Sequence, residues 1–306
     1  MTMAMTEPGV HGRATRRFAS PLSRALARQA GLDLDSVSGS GPQGRIVKAD
    51  VLAALEFGGA PRADAATAAP YQEIPNSFAR KQAARRLTES KQRAPHFYVR
   101  IDCNIDPLLR LRDAISDRAS REGVKLSVND FVIRAAASAL KEVPAVNASF
   151  SEAAIRRYQH IHIALAVALD DGLVTPVLEH ADRKGVAQIA REVKDLAARA
   201  RAGTLGPGAS SGGSFSISNL GSYGVREFAA VINPPQGAIL AVGAAEPRAV
   251  VQDGQLAIAT MMTVTLSVDH RVIDGVVAAR WLEAFKRHVE HPQESDVWKS
   301  LLADAP

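Results

Sequence analysis

Apolar residues recur along the 306-residue chain with two different periods. Spacings of three and four mark amphipathic helices, and alternation marks half-buried strands. Near the N-terminus, Ser20 is placed to cap a helix with Pro21 at its first position. Leu22, Ala25, Leu26 and Ala30 follow at helical spacing, and Gly31 is a natural stop. A Gly/Ser/Pro loop over 37–44 precedes a second short helix that holds Asp50, Val51, Leu52 and Leu55. Further on, residues 78–93 read as a helix with a basic face of Arg80, Lys81, Arg85 and Arg86. The β-branched and aromatic run 96–102 reads as a strand. Helical periods return at 106–122 and 127–142, the second stopping near Pro144, and again at 186–202, ended by Gly203. Strands are predicted at 161–169, 173–178, 214–218, 238–242 and 262–268, with a Gly/Ser-rich loop over 206–213 and a last helix over 276–289. Helices and strands without a regular βα repeat favour an α+β layered sandwich over a doubly wound sheet.

Composition divides this pattern into parts. Residues 1–17 are polar and unpatterned, as a disordered tail would be. Residues 58–71 are rich in Ala, Pro and Gly and read as a semi-extended linker. They separate a small all-α segment, 18–57, from one long stretch, 72–306; at ~150 residues per domain the length allows about two domains. Hydrophobic residues make up 46% of the chain, which excludes global disorder. The net charge is +5 but the basic residues are scattered and aromatics are only 5%, which argues against a nucleic-acid binder. An anionic small molecule or an acidic partner surface suits the charge better. The lone Cys103 allows no internal disulfide and no cysteine-based zinc site, and fits a reducing cytoplasm. No apolar run is long enough to span a membrane, and residues 1–10 lack the apolar core of a secretory signal. Arg13, Arg16 and Arg17 admit a transit peptide as well as a basic tail.

The candidate chemistry lies late in the chain. A strand pattern runs into His270, a turn follows, and a helix opens after Gly275. This puts an imidazole, the side chain best suited to exchange a proton near neutral pH, at a strand end. Asp274 stands where the helix begins and could cap it or hold a cation. On spacing alone, a histidine satisfied in the core and a plain helix cap fit as well. Ser218 ends a strand before a glycine-containing loop, where a hydroxyl could meet a developing oxyanion; serine is also ordinary in such turns, and no G-x-S-x-G elbow supports it as a nucleophile. His160 and His162 share a strand face without a third metal ligand, so no metal site is expected. The glycine loop at 37–44 lacks the P-loop pattern and could form an anion nest beside Arg45 or a simple structural turn.

His270 to Gly275 resembles the DHRxxDG signature of the acyltransferase component of 2-oxo acid dehydrogenase complexes, and 214–221 (SFSISNLG) is similar to its FTISNLG segment. Blocks at 84–90, 95–97, 126–130 and 171–176 match the same family, so the resemblance spans nearly all of 72–291. The small segment looks like the family's peripheral subunit-binding domain, and the wording is closest to the pyruvate type. The resemblance implies a chloramphenicol-acetyltransferase-like two-layer catalytic domain preceded by the small binding domain. It implies acetyl transfer between dihydrolipoamide and coenzyme A, with His270 as general base, Ser218 on the oxyanion and Asp274 stabilising the site, through an arginine not assigned. It implies a homotrimer built into a larger particle, with the histidine of one chain facing the serine of its neighbour. Arg24 and Arg45 fall on positions that bind the decarboxylase or lipoamide dehydrogenase partner. The family's lipoyl lysine turn is absent: before residue 72 the only lysine is Lys48. The arm is then expected from a separate lipoyl-domain protein, or from an upstream part that this sequence lacks. A scaffold with little turnover and a stand-alone acyltransferase are the competing readings; an intact His270, Ser218 and Asp274 speaks against the first, the binding domain against the second.

Overall fold

Ser20 accepts the Ser23 N–H at 3.1 Å and Pro21 occupies the first turn, so helix α1 (Pro21–Gln29) starts where the sequence predicts. The computed structural model describes residues 18–56, 71–169 and 172–292. The expected tail 1–17, the linker up to residue 70 and Asp171 of the block at 171–176 lie outside the described residues. The chain divides into two compact units, Met1–Ile74 and Pro75–Pro306.

In the first unit, α1 and α2 (Lys48–Glu56) enclose a core of Ala27, Leu32, Val37, Ile46 and Val51. Here α1 is turned away from its expected face. Ser23 and Ala27 are buried, whereas Leu22 is 55% exposed. The cause is polar: the Ser23 hydroxyl donates to the Ile46 carbonyl at 3.1 Å, and that carbonyl also accepts Ser20 N–H. The loop is closed by Asp50, whose carboxylate accepts the Ser40 hydroxyl at 2.6 Å, Ser40 N–H at 3.0 Å and Val47 N–H at 2.8 Å. The anion of this nest is internal.

The second unit contains α3 (Phe78–Arg93), β1 (His96–Asn104), α4 (Asp106–Arg121), α5 (Val128–Glu142), β2 (Ala148–Phe150), β3 (Ile155–Arg157), β4 (Ile163–Leu165), β5 (Val167–Leu169), β6 (Gly172–Val174), β7 (Val177–Leu178), α6 (Val186–Arg201), β8 (Phe215–Asn219), β9 (Ala238–Gln252), β10 (Gln255–Asp269) and α7 (Gly275–Glu290). A six-stranded sheet runs in the order β1-β10-β9-β8-β4-β7, with β4/β8 and β8/β9 parallel. The strands expected at 161–169 and 173–178 are broken into β4, β5, β6 and β7, and β9 and β10 are three times and twice as long as the segments expected, joined at Asp253-Gly254 with φ of +51° and +78°. Two successive left-handed residues match the right-handed twist of a hairpin.

The sheet has two different faces. Phe215 and Ile217 of β8, Leu240 and Val242 of β9, and Val264, Leu266 and Val268 of β10 join one apolar core with Trp281 and Phe285 of α7. The alternate positions, Ser216, Thr265, Ser267 and Asp269, are buried and polar. Residues 225–236 lie over that polar face: Ser267 Oγ donates to the Ala230 carbonyl at 2.8 Å, Ser216 Oγ to Gln236, and Ala244 N–H to the Val225 carbonyl at 2.8 Å. This is the α+β, two-layer arrangement expected.

One prediction concerns the first unit. The Ser40 hydroxyl, then the Val47 and Ser40 amides, hold the Asp50 carboxyl below the ordinary carboxylate value. A depressed acid contributes stability that is present above about pH 4 and lost as pH falls through the lower folded value. Calorimetry of the whole chain should show the small unit's melting temperature dropping in that window, and Asp50→Ala should lower it at pH 7 and abolish that acid dependence.

Candidate active site

The turn after β10 is organised by a buried carboxylate. Asp269 is 4% exposed and binds Arg271 through Nε at 3.0 Å and Nη2 at 2.7 Å, while also accepting Arg271 N–H at 3.1 Å. Its carbonyl accepts Val272 and Ile273 N–H at 2.9 and 3.0 Å, which wraps the chain tightly around it. The Arg271 guanidinium lies over the Phe150 ring at 4.1 Å. His270 is thereby turned outward and exposed. Its N–H donates to the Pro95 carbonyl at 3.0 Å, and its ring meets Phe97 edge-on at 5.0 Å. Asp274 caps α7 by accepting Val277 N–H at 2.8 Å. Thus the arginine of this turn, Arg271, pairs with Asp269, a partnership the sequence reading left unassigned although both residues stand in the DHRxxDG signature.

Ser218 sits half-buried on β8 beside a cleft of about 440 Å³. Leu165, Pro176, Val193, Leu196 and Tyr223 form apolar walls, and Arg201 adds a positive charge. Asn219 fixes the following loop, accepting Gly221 N–H at 2.8 Å and donating to Asn129 at 2.9 Å. Within one chain Ser218 and His270 do not meet. Ser218 is level with Ala241, and Ala241 with Thr265, five residues before His270. At ~3.3 Å per residue and ~4.8 Å per strand, the two groups are separated by roughly 15 Å or more.

The other candidates disperse. Arg24 is exposed on α1 with Nε donating to the Ala19 carbonyl at 3.4 Å, and Arg45 is exposed beside the glycine loop. His160 and His162 gain a third imidazole, His180, with ring centroids 4.9 and 4.7 Å away. However, His162 Nδ1 is taken up by His180 N–H at 3.0 Å, and among the described residues no three His, Cys, Asp or Glu side chains form a group that could hold a metal ion. Burial pushes the Cys103 thiol up to about 12, which removes it as a nucleophile. No helix among the described residues is long and apolar enough to cross a membrane.

Residues 68–296 match the family described as 2-oxoacid dehydrogenases acyltransferase (catalytic domain), and residues 17–52 match the e3 binding domain. A Rickettsia prowazekii relative, the dihydrolipoyllysine-residue acetyltransferase component of its pyruvate dehydrogenase complex, is 47% identical over 285 residues, covering 93% of this chain and 70% of its own. Among solved structures, the fold matches the cubic core of a pyruvate dehydrogenase multienzyme complex with a TM-score of 0.72 at 34% identity, covering 79% of this chain and 99% of that one. Equal scores, identity and coverage hold for Azotobacter vinelandii dihydrolipoamide acetyltransferase, in work on the role of a serine, a histidine and an asparagine in its catalytic mechanism.

The Asp269 carboxylate should govern this turn. Asp269→Asn removes the charge facing Arg271, and because that guanidinium is one-third exposed the loss is about 1–3 kcal/mol rather than that of a fully buried pair. Urea unfolding of the variant measures it.

Proposed function

The chain belongs to the 2-oxoacid dehydrogenase acyltransferase family, and from that premise we propose that it transfers an acetyl group between dihydrolipoamide and coenzyme A as the dihydrolipoyllysine-residue acetyltransferase of a pyruvate dehydrogenase complex. One observation carries the assignment of residues. The serine, histidine and asparagine studied in the A. vinelandii enzyme are separated by the same two intervals as Ser218, His270 and Asp274, with an aspartate here in place of the asparagine.

His270, exposed at a strand end and braced by Pro95 and Phe97, takes the proton of the attacking thiol. The thiolate adds to the thioester carbonyl, and the Ser218 hydroxyl donates to the resulting oxyanion. The C–S bond to the first thiol then breaks, and the proton on His270 passes to that departing sulfur. Asp274 holds the first turn of α7 and so the base of the His270 turn. The register distance between the two residues supports a site shared by protomers, with His270 of one chain facing Ser218 of the next in a homotrimer that builds a larger particle. The cleft beside Ser218, with Arg201 on its wall, suits a phosphate-bearing thiol substrate such as coenzyme A. The lipoyl group comes from outside residues 1–306. Acyl selectivity rests on that cleft's shape, where a methylene is worth ~1–3 kcal/mol. Residues 18–57 serve as the partner-binding domain for lipoamide dehydrogenase or the decarboxylase, and 72–306 as the catalytic domain. A reducing cytoplasm suits the single buried cysteine.

With acetyl-CoA and free dihydrolipoamide, His270→Ala should lose activity by about 10²–10⁴-fold and Ser218→Ala by about 10²–10³-fold. Co-expressing the two variants should restore about a quarter of the wild-type activity, because some interfaces then pair an intact histidine with an intact serine. No recovery would point to a site within one chain, and no turnover even in wild type would favour a scaffold. In calorimetric titration with lipoamide dehydrogenase, joint Arg24→Ala and Arg45→Ala substitution should weaken binding roughly tenfold, most at low salt, while the unit stays folded.

A further inference from the structure

We propose that His96 is a positioning residue for the acetyl transfer: held neutral in one tautomer, it ties residues 94–97, against which His270 rests, to the loop that covers the polar face of the sheet. This inference rests on the activity proposed above.

The geometry fixes the tautomer. His96 Nδ1 lies 2.8 Å from the Ala94 carbonyl, which can only accept, so Nδ1 carries the proton. Nε2 then has a free lone pair, and it accepts Ile232 N–H at 3.1 Å. Ile232 is 1% exposed, and its carbonyl accepts the hydroxyl of the equally buried Ser90 at 2.6 Å. Both polar groups of Ile232 are therefore gripped by the segment that leads into β1. The residue on each side of His96 serves His270 directly: the Pro95 carbonyl accepts its main-chain N–H at 3.0 Å and Phe97 packs edge-on against its ring at 5.0 Å. A shift of residues 94–97 would carry both supports with it, and sub-ångström placement of a base is worth large factors in rate.

The clamp works only with neutral His96. A proton on Nε2 removes the acceptor and sets two donors against each other, and the buried Ile232 N–H loses its bond. The charged groups that face the ring are Lys91 of α3 and Asp269 of β10, the latter engaged by Arg271; Tyr98 of β1 lies 6.1 Å away ring to ring. The covering loop contributes Ile232. Burial first, and then Lys91, outweigh the Ala94 carbonyl and Asp269 and hold the imidazole below its ordinary value. In the folded chain the clamp is therefore intact near neutral pH and is lost as pH falls through that lowered value.

The test compares wild type, His96→Ala and His96→Gln in the assembled protein, Gln keeping an acceptor that cannot be protonated. His96→Ala should lower kcat roughly ten- to a hundredfold with KM for acetyl-CoA changed less than about twofold, and His96→Gln should recover most of that loss. In acid, log kcat/KM of wild type should fall with a slope one unit steeper than that of His96→Gln. Independently of activity, hydrogen exchange read by mass spectrometry should show the 225–236 amides protected in wild type and His96→Gln, unprotected in His96→Ala, and losing protection in acid in wild type alone. An unchanged kcat in His96→Ala, or protection indifferent to pH and to the alanine variant, would overturn the proposal. Absent turnover in wild type would instead strike the acetyl-transfer reading, and the exchange arm would then decide the clamp by itself.

Discussion

The buried carboxylate of Asp269 is the constraint on which the geometry around residue 270 depends. An ionised side chain at 4% exposure is tolerated only when its oxygens are bonded, and here a bidentate guanidinium and a main-chain N–H do so within three residues. Meeting that demand locally forces the chain to coil around residue 269. The coil leaves His270 no inward path, and its ring emerges where Phe97 can brace it. A pair of this kind adds little net stability compared with an apolar replacement; what it fixes is direction.

The same sheet that presents His270 keeps Ser218 away from it. Polar side chains line one face of β8 and β10, apolar ones the other, so the register that buries Phe215 and Leu266 also sets Ser218 several residues along and two strands across from the imidazole. No side-chain rearrangement closes such a gap. Residues 220–236 nonetheless tie the two places together: they leave from the Ser218 cleft and reach His96 through Ile232 before Gln236 returns to Ser216 of β8. Gly243 makes that course available, since a Cβ there would stand 2.0 Å from the Arg226 carbonyl oxygen. Ser218 and His270 are thus fixed at two places on one frame, and the pairing proposed for them draws on a second copy of the chain.

Local signals were legible in the sequence and long-range ones were not. Ser20, Pro21 and Gly31 bound α1, and Asp274 caps α7, because capping chemistry is encoded within four residues. The rotation of α1 was hidden, since a serine reads as polar until its hydroxyl finds the Ile46 carbonyl 23 residues away. The Asp253-Gly254 turn carried a readable hairpin signal that extends β9 and β10, whereas β2 and β3 are too short for any period to register. His180 joins His160 and His162 only because β4 and β7 pair, and the double engagement of His96 depends on Ile232, 136 residues on. Resemblance pointed to His270, Ser218 and Asp274; its signature includes Asp269 and Arg271 without giving the pair that orients the turn a role.

The exposure of His270 in one chain is itself informative. As the proposed base, an imidazole left in bulk water would gain little from a neighbouring hydroxyl, because a dielectric of ~80 weakens every such interaction. Exchange of an acyl group between two thiols has little net driving force, so the barrier must fall through placement and oxyanion stabilisation rather than through energy drawn from the reaction. Both effects grow when water is excluded. An imidazole met edge-on by Phe97, its main-chain N–H held by the Pro95 carbonyl, yet exposed in front, suits the closure by a second protomer proposed above. In that proposal the cleft beside Ser218, at the far end of the same sheet, supplies the complementary wall.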